Sequence, residues 1–224
     1  MSELCKCGDL ESSHCGPMGE CSRFNCPCNQ FDKWTRTLVT DIDGVLLDFG
    51  LAIRSVLENL YWGELKTPHC YTLEEAYGIP AAVLGKPSPH SDTWRDIYAT
   101  PAKLYPDALE FVARLKAAGI NVIGLSYRCE AGREASRRDL AAMPFDELHY
   151  VDDPKDKPAF VSEAARNGQT WYIDDHPVYA ADMAEAVPSA RVYLITREWN
   201  QRCLDLGNYH RVSNFVEILR EVEA

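Results

Sequence analysis

Thr37-Leu38-Val39-Thr40-Asp41-Ile42-Asp43-Gly44-Val45 is a mostly apolar run that ends in two carboxylates and a glycine. It reads as a buried strand stopping at a turn. Strand alternation puts Asp41 and Asp43 on one side while Ile42 points away, and Gly44 lets the chain bend sharply. Two carboxylates so placed can divide the work of phosphoryl transfer, one attacking phosphorus and the other handling the leaving group's proton. Taken alone, the stretch equally fits an acidic strand-end turn that binds nothing.

Downstream the pattern alternates. Ala108, Phe111, Val112 and Leu115 have helical spacing, Gly119 stops that helix, and Ile120 to Leu125 is a short apolar run. The spacing predicts further helices around 133–143, 158–167 and 178–186, strands near 148–151, 170–173 and 191–195, and a closing helix carrying Phe215, Ile218, Leu219 and Val222. This is an α/β arrangement: a mostly parallel, Rossmann-like sheet with helices on both faces, binding ligands at the carboxyl ends of its strands. Residues 51 to about 100 break the rhythm with Tyr61, Trp62, Tyr71, Tyr77, Trp94 and Tyr98, together with Pro80, Pro87 and Pro89. They are expected to form a small, largely helical cap inserted into a domain spanning 34–224. Residues 1–33 lack either periodicity and stand apart as a cysteine-rich segment that needs a staple to fold.

Three more polar clusters follow predicted strands. Gly124-Leu125-Ser126-Tyr127-Arg128 ends in a small hydroxyl and a guanidinium, although a serine there is most often a helix cap. Asp152-Asp153-Pro154-Lys155-Asp156-Lys157-Pro158 offers two lysines ahead of a helix, or simply a solvated charged loop. Trp171-Tyr172-Ile173-Asp174-Asp175-His176-Pro177 ends an apolar strand in two acids, which is costly unless a cation is near.

The order acid pair, hydroxyl, lysine, acid pair, each after its own strand, resembles the four-motif signature of the haloacid dehalogenase-like (HAD) superfamily from about Arg36 onward. The resemblance implies Asp41 as nucleophile, Asp43 as acid/base, Ser126 as the phosphate-binding hydroxyl and either Lys155 or Lys157 as the lysine. Lys-Pro opening a helix looks more like the family's motif and favours Lys157. Magnesium would be held by Asp41, the main-chain carbonyl of Asp43, and Asp174, with Asp175 beside it. An acid at position 43 points to a phosphatase or phosphotransferase, since transport ATPases carry threonine at the matching place and the dehalogenases lack this acid.

Two later stretches, Ile173-Asp174-Asp175-His176-Pro177 and Val192-Tyr193-Leu194-Ile195-Thr196-Arg197-Glu198-Trp199-Asn200, look like the 5'(3')-deoxyribonucleotidase branch. That resemblance implies a nucleoside monophosphate as the small phosphorylated substrate. The insert would close over its base, where Trp94, Tyr98 or Tyr61 could stack, although each equally suits the cap's own core. Arg128 is a further candidate contact. Gly132-Arg133-Glu134 faintly resembles polynucleotide 3'-phosphatases, the competing enzyme class. A catalytically silent adaptor is the competing non-enzyme, which the complete motif set opposes.

The formal charge of -11 argues against general polyanion binding, which depends on Lys and Arg neutralising phosphates. No apolar run approaches the roughly 18 residues of a membrane span. The first 30 residues are unlike a signal peptide, and the expectation is a soluble cytoplasmic protein. Oligomeric state has no signature.

Cys5, Cys7, His14, Cys15, Cys21, Cys26 and Cys28 give seven soft ligands within 24 residues, with Gly8, Gly16 and Gly19 supplying turns. Zinc closes a tetrahedral site with four such ligands and can fold a short segment by binding. The spacing resembles small zinc-knuckle heads, with Asp9 where a second histidine is expected. Four ligands are expected from Cys5, Cys7, His14, Cys21, Cys26 and Cys28, leaving Cys15 outside. A disulfide cluster is the alternative, disfavoured by the odd total of nine cysteines. Residues 1–36 carry five acids against four bases, so the head suits a structural or docking role better than nucleic-acid binding. The freshly reduced, unchelated protein should contain about one tightly bound zinc per chain; elemental analysis finding none would overturn this reading.

Overall fold

The computed structural model describes residues 35–60, 65, 77–78, 92–128, 130–204 and 207–223. The cysteine-rich head, with Cys5, Cys7, His14, Cys21, Cys26 and Cys28, lies outside the described residues. Arg36–Ala224 forms one compact unit.

Its centre is a six-stranded sheet of β1 (Thr35–Thr40), β4 (Asn121–Tyr127), β5 (Glu147–Val151), β6 (Gly168–Asp174), β7 (Ala190–Ile195) and β8 (His210–Val212), in the spatial order β5-β4-β1-β6-β7-β8. The pairs β1/β4, β4/β5, β6/β7 and β7/β8 are parallel, with Thr40 opposite Gly124 and Asp174 opposite Leu194. Both faces are covered, which explains why the strands read as nearly continuous apolar runs. Neighbouring residues face opposite ways: Leu38, Trp171, Ile173 and Tyr193 join one core cluster, while Val39, Tyr172, Val192 and Leu194 join the other.

The chain leaves β1 through β2 (Leu47–Asp48) into α1 (Phe49–Leu60), and returns by α2 (Asp92–Ala99) and β3 (Lys103–Leu104). α3 (Ala108–Ala117) and α7 (Phe215–Val222) then cover the first face through Phe111, Leu115, Phe215 and Ile218, with the two phenylalanine rings stacked at 4.3 Å. α4 (Glu130–Asp139) follows β4. α5 (Lys157–Arg166) and α6 (Pro177–Ala186) cover the second face through Val161, Ala180 and Met183. Fully burying each such large side chain contributes about 1.5–3 kcal/mol.

Local chemistry sets the boundaries. Gly119, at φ 72°, ends α3 while the Ile120 N–H returns to the Leu115 carbonyl at 3.0 Å. The Asn214 side chain caps α7 by accepting from the Glu217 N–H at 3.3 Å.

The sheet class and layering agree with the sequence reading, and two features depart from it. β8 was not expected, because His210-Arg211-Val212 buries only Val212 fully and shows no apolar run. The antiparallel pair β2/β3, matching Leu47 with Leu104 and Asp48 with Lys103, is two residues long and leaves no periodic trace. It ties together the two ends of the expected cap, whose described elements are α1 and α2. Among the described residues no helix is long and apolar enough to cross a membrane.

Candidate active site

β1 lies between β4 and β6, and the chain order reverses around it: β4 and β5 extend the sheet one way, β6 to β8 the other. Such a switch point opens a crevice at the carboxyl ends of the central strands. Asp41 follows β1 directly, its N–H bonded to the Ile173 carbonyl at 2.8 Å. Ser126 is the penultimate residue of β4, and Asp174 ends β6. All three are buried: Asp41 is 8% exposed, Ser126 1% and Asp174 0%.

Lys157 begins α5, after a 3-10 turn at Pro154–Asp156 that Asp153 caps by accepting from the Lys155 N–H at 2.9 Å. Its Nζ donates to Asp41 Oδ1 at 2.8 Å and lies 3.6 Å from Asp174 Oδ2. Lys155 is exposed, so Lys157 is the lysine that meets the carboxylates. Burial alone would lower the Lys157 ammonium's proton affinity, but Asp41 and Asp174 outweigh it and hold it above the ordinary value. Burial pushes Asp41 the other way, up to about 7; Lys157 opposes that shift while Asp174 and Asp43 add to it.

Asp174 is held from both sides. Its Oδ1 accepts from the His176 N–H at 2.8 Å, and its Oδ2 accepts from the buried Tyr172 hydroxyl. Asp175 Oδ2 accepts from Trp199 Nε1 at 2.6 Å, and its carbonyl accepts from Asn200 Nδ2 at 2.7 Å. The same segment braces the turn after Asp43. Arg197 Nε donates to the Gly44 carbonyl at 2.6 Å and Nη2 to the Val45 carbonyl at 2.7 Å, with its guanidinium 3.9 Å from the Tyr105 ring centre. Gly44 has φ 78°, and a Cβ there would lie 2.2 Å from Asp175 Oδ2, so only glycine fits.

Arg128, expected as a substrate contact, pairs with Asp43 in this structure. It is 2% exposed; Nε donates to Asp43 Oδ2 at 2.7 Å, and Nη2 donates to Asp43 Oδ1. Tyr98, also expected at the substrate, is buried with its ring stacked on Phe49 at 5.3 Å and over the Arg128 guanidinium at 5.4 Å. Trp94 belongs to α2, but its side chain lies outside the described residues. The sequence reading missed the roles of Arg197, Trp199 and Asn200, which it quoted only for their resemblance, and of Tyr172. For Arg197, a polar residue just past the apolar run of β7 was the available signal; Tyr172, inside the run of β6, carried none.

Asp41, Asp174 and Asp175 each offer a carboxylate oxygen, and these atoms lie within 4.8 Å of one another. Hard oxygen donors in this number suit Mg2+. Asp41, Asp43, Asp174 and Asp175 outnumber Lys157 and Arg128, the buried cations paired with them, which favours a metal cation at these oxygens. The Asp43 carboxylate is engaged by Arg128, which fits an expected metal contact through its main chain rather than its side chain.

No family model matches the chain, and no curated protein does. Solved structures do match in fold. A Bacillus subtilis protein assigned as a HAD hydrolase and bound to magnesium superposes with TM-score 0.60 at 15% identity, over 85% of this chain and 99% of that one. A HAD phosphatase from Thermococcus onnurineus gives 0.57 at 17%, over 84% and 98%. A HAD-superfamily hydrolase from Geobacter sulfurreducens gives 0.54 at 15%, over 84% and 96%. The fold is therefore that of the HAD-superfamily hydrolases.

The raised Asp41 carboxyl has a measurable consequence. Without metal, the protonated form contributes stability fully present below the ordinary value of 3.8 and lost as pH rises through about 7. A cation bound there displaces the proton below that pH and replaces it above. Mg2+ should therefore raise Tm more at about pH 8 than at about pH 6, and Asp41→Asn should flatten the difference. Equal shifts at both pH values would contradict this assignment.

Proposed function

We propose that this chain is a Mg2+-dependent phosphomonoester hydrolase that forms an aspartyl phosphate on Asp41 and acts on nucleoside monophosphates. The observation that carries the reaction class is the buried pairing of Lys157 with Asp41 and Asp174 at the switch point of a HAD fold, with Asp175 alongside.

Asp41 attacks phosphorus in line; its new O–P bond forms as the ester O–P bond breaks, and Asp43 gives the departing oxygen a proton. A water then attacks the phosphorus of the aspartyl phosphate, Asp43 takes that water's proton, and Asp41 leaves as a carboxylate, restoring both groups. Lys157 and Ser126 hold the remaining phosphoryl oxygens. Lys157 also opposes the burial that favours the neutral form of Asp41. Asp41, the Asp43 carbonyl, Asp174 and Asp175 would hold Mg2+, which would supply Lewis-acid polarisation and offset the repulsion between carboxylate and phosphate. The segment from Arg197 to Asn200 keeps the Asp43-Gly44 turn and Asp175 in register.

Nucleotide specificity rests on the stretches around Asp174 and Trp199 that resemble deoxyribonucleotidases. It also rests on a short aromatic insert of a size to close over one base and exclude water. A polynucleotide end would need an open groove of basic residues. Arg133, the residue behind that alternative, is already committed: its guanidinium pairs with Asp152, and Nε donates to the Arg128 carbonyl at 3.0 Å. The cysteine-rich head, which carries none of the catalytic groups, would serve stability or docking.

With Mg2+, kcat/KM should be higher for a nucleoside 5'- or 3'-monophosphate than for a 3'-phosphorylated oligonucleotide at the same moderate salt, with folded Asp41→Asn inactive on both. Preference for the oligonucleotide would replace the nucleotidase with an end-processing phosphatase; turnover by Asp41→Asn would refute the mechanism itself.

A further inference from the structure

We infer that Arg128 is the positioning residue of Asp43: its guanidinium fixes the orientation in which Asp43 exchanges its proton, and the two helices flanking the insert hold that guanidinium in place. The inference rests on the proposed acid/base role of Asp43.

Three of the Arg128 nitrogens are engaged. Nε and Nη2 form a fork on the two Asp43 oxygens, while Nη1 donates to the Gly132 carbonyl at 3.3 Å and to Ser136 Oγ. Ser136 is itself anchored, its hydroxyl donating to the Gly132 carbonyl at 2.8 Å. The Arg128 side chain is 1% exposed, against 21% for Asp43. The guanidinium is thus a fixed part of the protein interior, and the carboxylate is the partly open end of the pair. A buried guanidinium requires such a partner, and its planar fork matches a carboxylate as no lysine can.

The packing explains why the fork cannot drift. The guanidinium carbon lies 5.3 Å from the Phe49 ring centre and 5.4 Å from that of Tyr98. Phe49 opens α1 and Tyr98 is the penultimate residue of α2, so the contact is made by the helices that leave and re-enter the core domain. Gly132 admits Tyr98: a Cβ there would lie 3.1 Å from Tyr98 Cγ and 3.2 Å from Arg128 Cβ. Guanidinium carries donors only, so a proton on Asp43 cannot lie between the two groups. It must occupy a lone pair turned away from Arg128, which gives the acid one direction of transfer.

The test uses kcat/KM, which reports formation of the aspartyl phosphate, on two aryl esters with the full chain and Mg2+. Phenyl phosphate has a poor leaving group that needs the acid; 2,4-dinitrophenyl phosphate has a good one that does not. Arg128→Lys keeps the charge and loses the fork. It should lower kcat/KM about 10–100-fold on phenyl phosphate and about threefold or less on the dinitrophenyl ester, a fraction of the 10²–10⁴ typical of general acid catalysis. Ser136→Ala, which removes one anchor and tests the same link if the lysine variant does not fold, should show a smaller loss with the same selectivity. Equal loss on both esters, or none on either, while Asp43→Asn remains selective for phenyl phosphate would overturn the role of Arg128 and leave the proposed reaction standing. An Asp43→Asn variant impaired equally on both esters would instead remove the acid role, and the positioning role with it.

Discussion

Four carboxylates gathered at one edge of a buried sheet set the terms for the rest of the structure. Asp41, Asp174 and Asp175 are each less than a tenth exposed, and Asp43 stands beside them. Like charges so placed repel strongly in a medium of low dielectric, and burial adds the cost of lost hydration. The protein answers with two buried cations from different elements, Lys157 at the start of α5 and Arg128 just past β4. They divide the acids between them, Lys157 taking Asp41 and Asp174 while Arg128 takes Asp43. The excess of acid is what a metal cation would offset.

That arrangement restricts the backbone around it. The turn after Asp43 passes so close to Asp175 that position 44 has no room for a side chain. Its carbonyls are held by Arg197, from the segment after β7, and the Asp175 carboxylate is held by Trp199 two residues later. Asn200 completes the brace by donating to both the Asp175 and Ile195 carbonyls. Strands far apart in sequence are thereby joined by side chains at the edge where the chemistry would occur, in addition to the ladder that joins them within the sheet.

Much of this was legible in the sequence because it is periodic or local. Strands buried on both faces announce themselves as apolar runs, and the helices as Ala108/Phe111/Val112/Leu115 or Phe215/Ile218/Leu219/Val222 spacings; their boundaries fall within a few residues of expectation. The site residues stood out because charge at the end of an apolar strand is costly without a partner. Which partner each group would find was not legible, since it depends on contacts between segments far apart in the chain. Arg128 and Asp43 are 85 residues apart, Lys157 and Asp41 116, and Arg197 and Gly44 153. Thus the pairing of Arg128 with Asp43, and the packing of Tyr98 against Phe49 and Arg128, could not be read from residues expected at the substrate. Short elements also escaped: two paired residues in β2/β3 and three in β8 cannot establish a period.

In the proposed reaction a carboxylate oxygen of Asp41 forms the covalent bond to phosphorus. Borohydride reduces an acyl phosphate on aspartate to homoserine, so acid-quenched protein caught turning over an aryl phosphate with Mg2+ can be reduced, digested and mapped by mass spectrometry. Homoserine is expected at position 41 and at no other aspartate. Homoserine at a different position, or an unmodified Asp41 after a burst of alcohol release stoichiometric with the enzyme, would contradict it.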